Sequence, residues 1–127
     1  MSANQGGNRL VDYLGHMLDA IELVRRYTDG MKKQNFIDDK KTQQAVILNI
    51  LVIGEAATKI CIEHPGFVAE HAQVPWDKMR GMRNRMAHGY FEINLDIVWG
   101  TVQESLPRLQ HQLMVLRKHL DERPSQE

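Results

Sequence analysis

The sequence has few cysteine, proline and aromatic residues, and each shortage excludes a class of protein. A single cysteine, Cys61, cannot form an internal disulfide or a cysteine-rich zinc site. Aromatic side chains make up 6% of the 127 residues, which argues against a β-rich interior, and only four prolines interrupt the good helix formers. We therefore expect one all-α domain over residues 1–127, with loose tails at residues 1–7 and 122–127.

The chain also lacks an excess of charge of either sign. Its 16 basic and 16 acidic side chains cancel, which argues against a protein coated for nonspecific DNA binding. The distribution is less even, because residues 76–90 hold four basic side chains against one acidic side chain, a net charge of +3. This stretch suits a small anionic ligand or a single-stranded nucleic acid. A solvated helix face that carries arginines accounts for the charge equally well.

Targeting signals and long hydrophobic runs are missing as well. The longest apolar stretch, AVILNILVI, has nine residues, whereas a membrane-spanning helix needs about 20. The first residues, MSANQGGNRL, lack the basic start and apolar run of a signal peptide. These features predict a cytoplasmic protein.

Apolar residues recur at helical spacing in four segments, which predicts an up-and-down four-helix bundle. The first helix is expected from about Asn8, a candidate cap, to Thr28, and MKKQN follows as a polar connector. The second helix is expected from about Asp38 to Glu63. Its middle, AVILNILVIGEAA, is apolar on nearly every side, so we expect neighbours to bury it all round. Gly54 would let another helix approach closely.

The third helix is expected in VPWDKMRGMRNRMAH, where Gly89 ends it, after a loop that follows the second helix. The fourth is expected to begin after Asn94, a candidate cap, and to bend at Pro107. It carries an apolar seam at steps of three and four residues, which packs against the bundle or against a second subunit. The seam consists of Val98, Val102, Leu106, Leu109, Leu113, Leu116 and Leu120.

The segment RNRMAHGY carries the side chains best suited to chemistry. Arg83 and His88 are five residues apart, which separates them by about 140° around a continuous helix. Gly89 follows at once, so we expect the helix to finish near His88 and to free the histidine from this geometry. An imidazole can take or give a proton, and a guanidinium can hold a phosphate group. Together they suit metal-independent cleavage of RNA, with the histidine acting on the 2′-hydroxyl or the leaving oxygen.

The same residues also fit an ordinary helix end. Cationic side chains near a helix C-terminus interact favourably with the helix dipole, by about 0.3–1 kcal/mol. The motif taken alone therefore leaves the catalytic and the structural interpretations open.

The motif and its surroundings resemble those of HepT-like toxins of the HEPN superfamily. RNRMAHGY fits the pattern Arg-x4-His-x-Tyr, and DDKKTQQAVILNILVIGEAA is similar to the second helix of the family. VPWDKMRGMRNRMAHGYFEINLDIVW resembles its third helix and the following turn, and VDYLGHMLDAIE resembles its first helix more weakly. The resemblance implies a four-helix domain that forms a homodimer, with the motifs of both subunits meeting in a cleft. It implies a toxin that cleaves RNA without a cofactor.

The resemblance also implies a role for each residue of the motif. Arg83 and His88 would form the catalytic pair, and Asn84 would orient the site. Tyr90 would accept AMP from a small nucleotidyltransferase antitoxin of the MNT type, which silences the toxin. The attached AMP would add bulk and negative charge and would compete for Arg83. Glu55, in the family-like segment IGEAA, is expected to be a buried support that pairs with a motif arginine.

Two functions of other classes stay open at this level. The domain could be a non-catalytic subunit that binds a nucleotide or substrate for a nucleotidyltransferase, or a purely structural helical dimer. The histidines outside the motif show no metal-ligand spacing, so no metal site is expected. Trp76 and Trp99 flank the motif, and core packing is favoured over base stacking for both.

Overall fold

Four long helices carry most of the computed structural model, which describes residues 5–122. No strand is present among these residues, so the predicted all-α bundle is confirmed. The helices are α1 (Gln5–Tyr27), α2 (Lys33–Ile37), α3 (Lys40–Glu63), α4 (Pro65–Glu70), α5 (Trp76–His88), α6 (Leu95–Gly100) and α7 (Leu106–Glu122). A 3₁₀ turn at Tyr90–Glu92 follows the third long helix. The fourth long helix consists of three successive segments, which are α6, a π turn at Thr101–Ser105 and α7.

The apolar stripes predicted in the first and fourth helices form the core together with buried side chains of α3 and α5. α1 packs against α3 and α7, and α3 also packs against α5. The stripe on α1 is buried at Leu10, Leu14, Met17, Ile21 and Val24. The apolar seam on α6 and α7 is buried from Val98 to Leu116. The seam therefore packs inside the bundle, and it gives no support for a second subunit.

The first helix is longer than its sequence pattern suggests. It begins at Gln5, so Asn8 lies inside it rather than at its cap, and residues 5–7 belong to the helix rather than to a tail. Gly30 has a φ of 74°, the left-handed conformation expected of the glycine that ends this segment. Glu122 likewise belongs to α7. The other residues of the two predicted tails lie outside the described range.

The predicted polar connector contains most of a short helix, α2. Phe36 on α2 is fully buried, and its ring centroid lies 5.4 Å from that of Trp99 on α6. Lys33 also pairs with Asp96 at 2.9 Å. These contacts stabilise a helix that is too short to show a periodic pattern. The loop expected after the second helix contains a similarly short helix, α4.

The second long helix, α3, is not buried all round as predicted. It begins at Lys40, because the carboxylate of Asp39 accepts a hydrogen bond of 3.0 Å from the backbone N–H of Thr42. Hydrogen bonds from Thr42 hold the pKa of Asp39 below its ordinary value. Along one face, Leu48 and Ile62 are 60% and 67% exposed. The helix is long and apolar enough to span a membrane. However, half of its most apolar stretch is buried inside the bundle, as in the core helix of a folded domain.

The start of the fourth helix is as predicted. The side-chain oxygen of Asn94 accepts hydrogen bonds from the backbone N–H groups of Asp96 and Ile97, so Asn94 is the N-cap. Where a bend at Pro107 was expected, the helix contains the π turn at Thr101–Ser105, just before the proline. A proline ring collides with the carbonyl four residues earlier in a regular α-helix, and that residue, Gln103, lies in the π turn.

Helices α3 and α5 approach each other closely at Gly54, as predicted. A Cβ atom built on Gly54 would overlap the Cβ atom of Arg83 and would lie 2.9 Å from the carbonyl oxygen of Met79. The missing side chain therefore lets α5 lie directly on α3. This contact also places Arg83 beside Glu55, the next residue of α3.

Replacing Gly54 with alanine should lower the free energy of unfolding by about 1–3 kcal/mol, because the added methyl group meets backbone and Cβ atoms that cannot rotate away. Gly15→Ala is the matched control. Gly15 lies within α1, and a Cβ atom there has no neighbour within 4 Å. That change should raise stability by about 0.5–1 kcal/mol through helix propensity. Urea denaturation of both variants measures the difference, and equal stability would contradict the close contact.

Candidate active site

Arg83 is held on α5 by two polar side chains. Its Nη2 atom donates a hydrogen bond of 2.9 Å to Oε1 of Glu55, and its Nη1 atom donates one of 2.9 Å to Oδ1 of Asn84. The predicted pairing of Glu55 with a motif arginine is therefore confirmed. Its predicted burial is wrong, since the side chain of Glu55 is 48% exposed. A guanidinium has five N–H groups, so three donors of Arg83 are left for a ligand.

A groove opens beside the ion pair of Arg83 and Glu55, and we call it the Arg83 groove. It has a volume of about 500 Å³ and lies between α1, α3 and α5. Its walls are mostly apolar. Its charged side chains are those of Arg83, Glu55 and Lys59. The residues that line it are Tyr13, His16, Leu51, Val52, Glu55, Ala56, Lys59, Arg83 and Ala87.

His88 is the last residue of α5, and its side chain is exposed. The helix ends there because the backbone of Gly89 leaves helical geometry, with φ −130° and ψ 44°. The N–H of Gly89 still donates the last helical hydrogen bond, of 2.8 Å, to the carbonyl of Arg85. The predicted end of the helix is confirmed, but His88 itself keeps the helical position. No hydrogen bond joins its imidazole to any residue in the range 5–122.

The motif residues thus fall into two groups. Glu55, Arg83 and Asn84 are in contact, whereas neither His88 nor Tyr90 touches Arg83 through a hydrogen bond within the described range. The rotation of about 140° between Arg83 and His88 accounts for this separation, since both lie in one α-helix. A direct contact between the histidine and the arginine, which a freed helix end would have allowed, is therefore not present within one subunit.

Two aromatic side chains follow the histidine on the 3₁₀ turn. Tyr90 is 46% exposed. Phe91 is 99% exposed, and its ring meets that of Tyr90 edge-on at 5.9 Å between centroids. Phe91 was not predicted from the sequence to be a residue of the site. The available signal was an aromatic residue in the otherwise polar end of the motif, directly after the tyrosine.

A second groove lies beyond this turn, and we call it the Arg85 groove. It has a volume of about 330 Å³ and is bounded by α5, the 3₁₀ turn and α6. Methionine and aliphatic side chains form most of its walls, and Arg85 and Glu92 bring charge. Its lining residues are Met82, Arg85, Met86, Gly89, Glu92, Ile93, Asn94, Ile97 and Val98.

The tryptophans that flank the motif belong to the fold rather than to either groove. Trp76 is buried, and its indole N–H donates a hydrogen bond of 3.0 Å to the carbonyl of His71. Trp99 packs against the core beside Phe36. Core packing is confirmed for both. Among residues 5–122, no three His, Cys, Asp or Glu side chains form a group that could hold a metal ion.

Several curated proteins are similar to this chain. The "Probable ribonuclease HepT" of Thermococcus cleftensis is 38% identical over 107 residues, which cover 84% of this chain and 94% of that protein. A "Putative RNase" of Caldanaerobacter subterraneus subsp. tengcongensis is 32% identical over 101 residues, or 80% of this chain and 88% of that protein. A longer protein of Methanocaldococcus jannaschii, named "Gamma-glutamylcyclotransferase and putative RNase", is 32% identical over 109 residues, which cover 86% of this chain but 48% of that protein. No solved structure gives a significant match.

A family model described as "Ribonuclease HepT-like" matches residues 17–116. The matched range includes both sides of the contact between α3 and α5, the whole motif and the two grooves apart from Tyr13 and His16. The Thermococcus protein aligns over nearly its full length with the same chain. The chain therefore belongs to the HepT-like ribonuclease family.

Proposed function

We propose that this protein is an endoribonuclease in which Arg83 binds the scissile phosphate and His88 transfers a proton. The observation that carries the proposal is the fixed guanidinium of Arg83, which Glu55 and Asn84 hold at 2.9 Å on the wall of an open groove. Its three remaining N–H groups can donate to phosphate oxygens. The family supplies the reaction class, because its curated members are named as ribonucleases.

The proposed reaction is attack by the 2′-hydroxyl of RNA on the neighbouring phosphorus. The bond from the 2′-oxygen to phosphorus forms, the bond from phosphorus to the 5′-oxygen breaks, and the products carry a 2′,3′-cyclic phosphate and a 5′-hydroxyl group. One proton leaves the 2′-hydroxyl and one reaches the leaving oxygen. Arg83 stabilises the charge that develops on the phosphate, and exposed His88 serves one of the two proton transfers.

A homodimer would supply the second proton transfer. Arg83 and His88 of one subunit are not in contact, so a cleft that combines the motifs of two subunits would complete the site. The exposed apolar face of α3 suits such an interface, because Leu48, Val52 and Ile62 lie on one side of the helix and Val52 also lines the Arg83 groove.

The second part of the proposal concerns control. We propose that the protein is the toxin of a toxin–antitoxin pair, acting in the cytoplasm, and that an MNT-type nucleotidyltransferase attaches AMP to Tyr90. The exposed phenol would attack the α-phosphorus of ATP, with loss of its proton and release of pyrophosphate. The attached phosphate would bring negative charge to the turn after His88, which would repel the RNA backbone.

His88→Ala should lower the rate of RNA cleavage by about 10²–10⁴-fold, the usual loss for a general acid–base. The side chain is exposed, so the circular dichroism spectrum should not change. The assay uses protein whose intact mass shows no attached AMP, total RNA as substrate and a metal chelator in the buffer. His111→Ala, which removes an exposed histidine of α7, is the control and should cleave at the parent rate. Equal cleavage by His88→Ala would overturn the catalytic assignment.

Leu48→Asp should convert a dimer into a monomer, because it puts a charge into the proposed apolar interface. Sedimentation velocity measures the change in mass, and cleavage should be lost together with the dimer while the helical content stays the same. Met114→Asp is the matched control, since Met114 is also exposed, at 51%, but lies on α7. A Leu48→Asp protein that sediments like the parent would place the interface elsewhere.

Tyr90→Phe should keep most of the cleavage activity but should escape silencing by the partner nucleotidyltransferase and ATP. The hydroxyl that accepts AMP is lost, whereas the ring stays in place. Intact mass measured after incubation with the partner should increase by one or more AMP groups in the parent and remain constant in the variant. Tyr27→Phe removes another exposed phenol and should still be modified. Modification of the Tyr90→Phe variant would refute the assignment of this acceptor.

A non-catalytic subunit of a nucleotidyltransferase is the alternative. The observation that favours it is the absence of a hydrogen bond between His88 and Arg83 among the described residues. Intact RNA in the presence of unmodified parent protein, together with tight binding of the nucleotidyltransferase, would support this function instead.

A further inference from the structure

Phe91 is the most exposed large apolar side chain among the described residues, with 99% of its surface open to solvent. A phenyl ring in this position contributes no burial to the stability of the fold. It also lies in the middle of a turn that begins two residues after His88. The fold therefore does not need this side chain for its stability. A ligand that covers the ring would account for an aromatic residue at this position.

The faces of the Phe91 ring are open to solvent. Its aromatic neighbour among the described residues is Tyr90, which meets it at an interplanar angle of 78° and a centroid distance of 5.9 Å. An edge-on neighbour restrains a ring without covering its face. The exposed fraction shows that no other described side chain covers it either. Phe91 therefore offers a flat apolar surface next to the proposed catalytic histidine.

The same turn forms a wall of the Arg85 groove. Gly89 and Glu92, which bracket the two aromatic residues, both line it, and Arg85 faces them from the last turn of α5. The groove therefore combines apolar walls, the cation of Arg85 and the carboxylate of Glu92, which can accept hydrogen bonds. A nucleotide needs these same features, because it has a flat base, a phosphate group and amino groups that donate hydrogen bonds.

We propose that Phe91 is a stacking platform for a nucleobase of the RNA substrate and that the Arg85 groove receives the adjacent nucleotide. This inference rests on the proposed ribonuclease function and adds to it a base-binding subsite. Residues 76–92, which include Glu92 of the groove, carry a net charge of +2, and this favours a nucleic acid over a neutral protein surface as the occupant. Stacking on aromatic side chains is the common way in which proteins bind unpaired bases. The subsite therefore favours single-stranded RNA or loops over paired regions.

The test measures binding without cleavage. A labelled single-stranded oligoribonucleotide is titrated with protein carrying His88→Ala, and fluorescence anisotropy gives Kd. Adding Phe91→Ala should weaken binding by about 5- to 150-fold, the usual loss for one stacked base. Adding Phe91→Trp should keep the affinity, because a larger aromatic ring stacks as well. Phe91→Leu separates stacking from apolar contact and should bind weakly.

A matched control and a substrate series make the assignment specific. Met114→Ala removes another exposed apolar side chain, on α7, and should leave Kd unchanged. Oligonucleotides with one abasic position should reveal a site where loss of the base weakens binding to protein with Phe91. The same loss should cost nothing further once Phe91→Ala is present, because the two changes remove one contact.

The possible outcomes separate this inference from the proposed function. Equal Kd values for Phe91 and Phe91→Ala, with RNA bound by both, would overturn the stacking subsite and leave the ribonuclease proposal intact. If the parent neither binds nor cleaves RNA, both proposals fail together. If Phe91→Ala weakens binding of the nucleotidyltransferase partner but not of RNA, the exposed ring belongs to a protein interface and the inference is wrong.

Discussion

The close contact between α3 and α5 at Gly54 is the constraint on which the site depends. Because Gly54 has no side chain, α5 lies against α3 and the guanidinium of Arg83 reaches the carboxylate of Glu55 at 2.9 Å. The ion pair is partly exposed, and pairs of this kind contribute only about 0.2–1 kcal/mol to stability. Its effect is mainly to orient the arginine. A guanidinium held at two of its nitrogen atoms loses less freedom when it binds a phosphate group.

Helix α5 presents different chemistry on its different sides. Its buried side chains, Trp76, Met79 and Met86, fix it to the core. Arg83 faces α3 and the Arg83 groove, whereas Arg85 lies on the other groove and His88 ends the helix. A helix that is anchored by packing can hold such groups more accurately than a loop can. The same arrangement separates Arg83 from His88 within one subunit, which is why the proposed function involves two subunits.

The parts of the fold that were predictable from the sequence are those with a long periodic pattern or a local cap. The stripe on α1, the apolar seam, the cap at Asn94 and the end of α5 at Gly89 all follow from such signals. The pairing of Glu55 was predictable from the resemblance of the segment IGEAA to the family, whereas the exposure of its side chain was not. The short helices α2 and α4 were not predictable, since their stability comes from tertiary contacts such as that of Phe36 with Trp99. The exposed face of α3 was missed because an apolar side chain looks the same in sequence whether it faces the core or a partner.

The π turn in the fourth helix affects the rotation of α7 about the helix axis relative to α6. Val98, Val102 and Leu106 are spaced by four and four residues, and eight residues of a regular α-helix advance about 80° beyond two full turns. All three are buried on one apolar stripe, and the wider turn at Thr101–Ser105 reduces the rotation between them. A π turn contains about one residue more than an α-helical turn, so regular α-helical geometry through the same residues would rotate α7 by about 100° relative to α6. The leucines of α7 would then leave the core while its polar side chains entered it, so the width of this one turn determines which face of the last helix is buried.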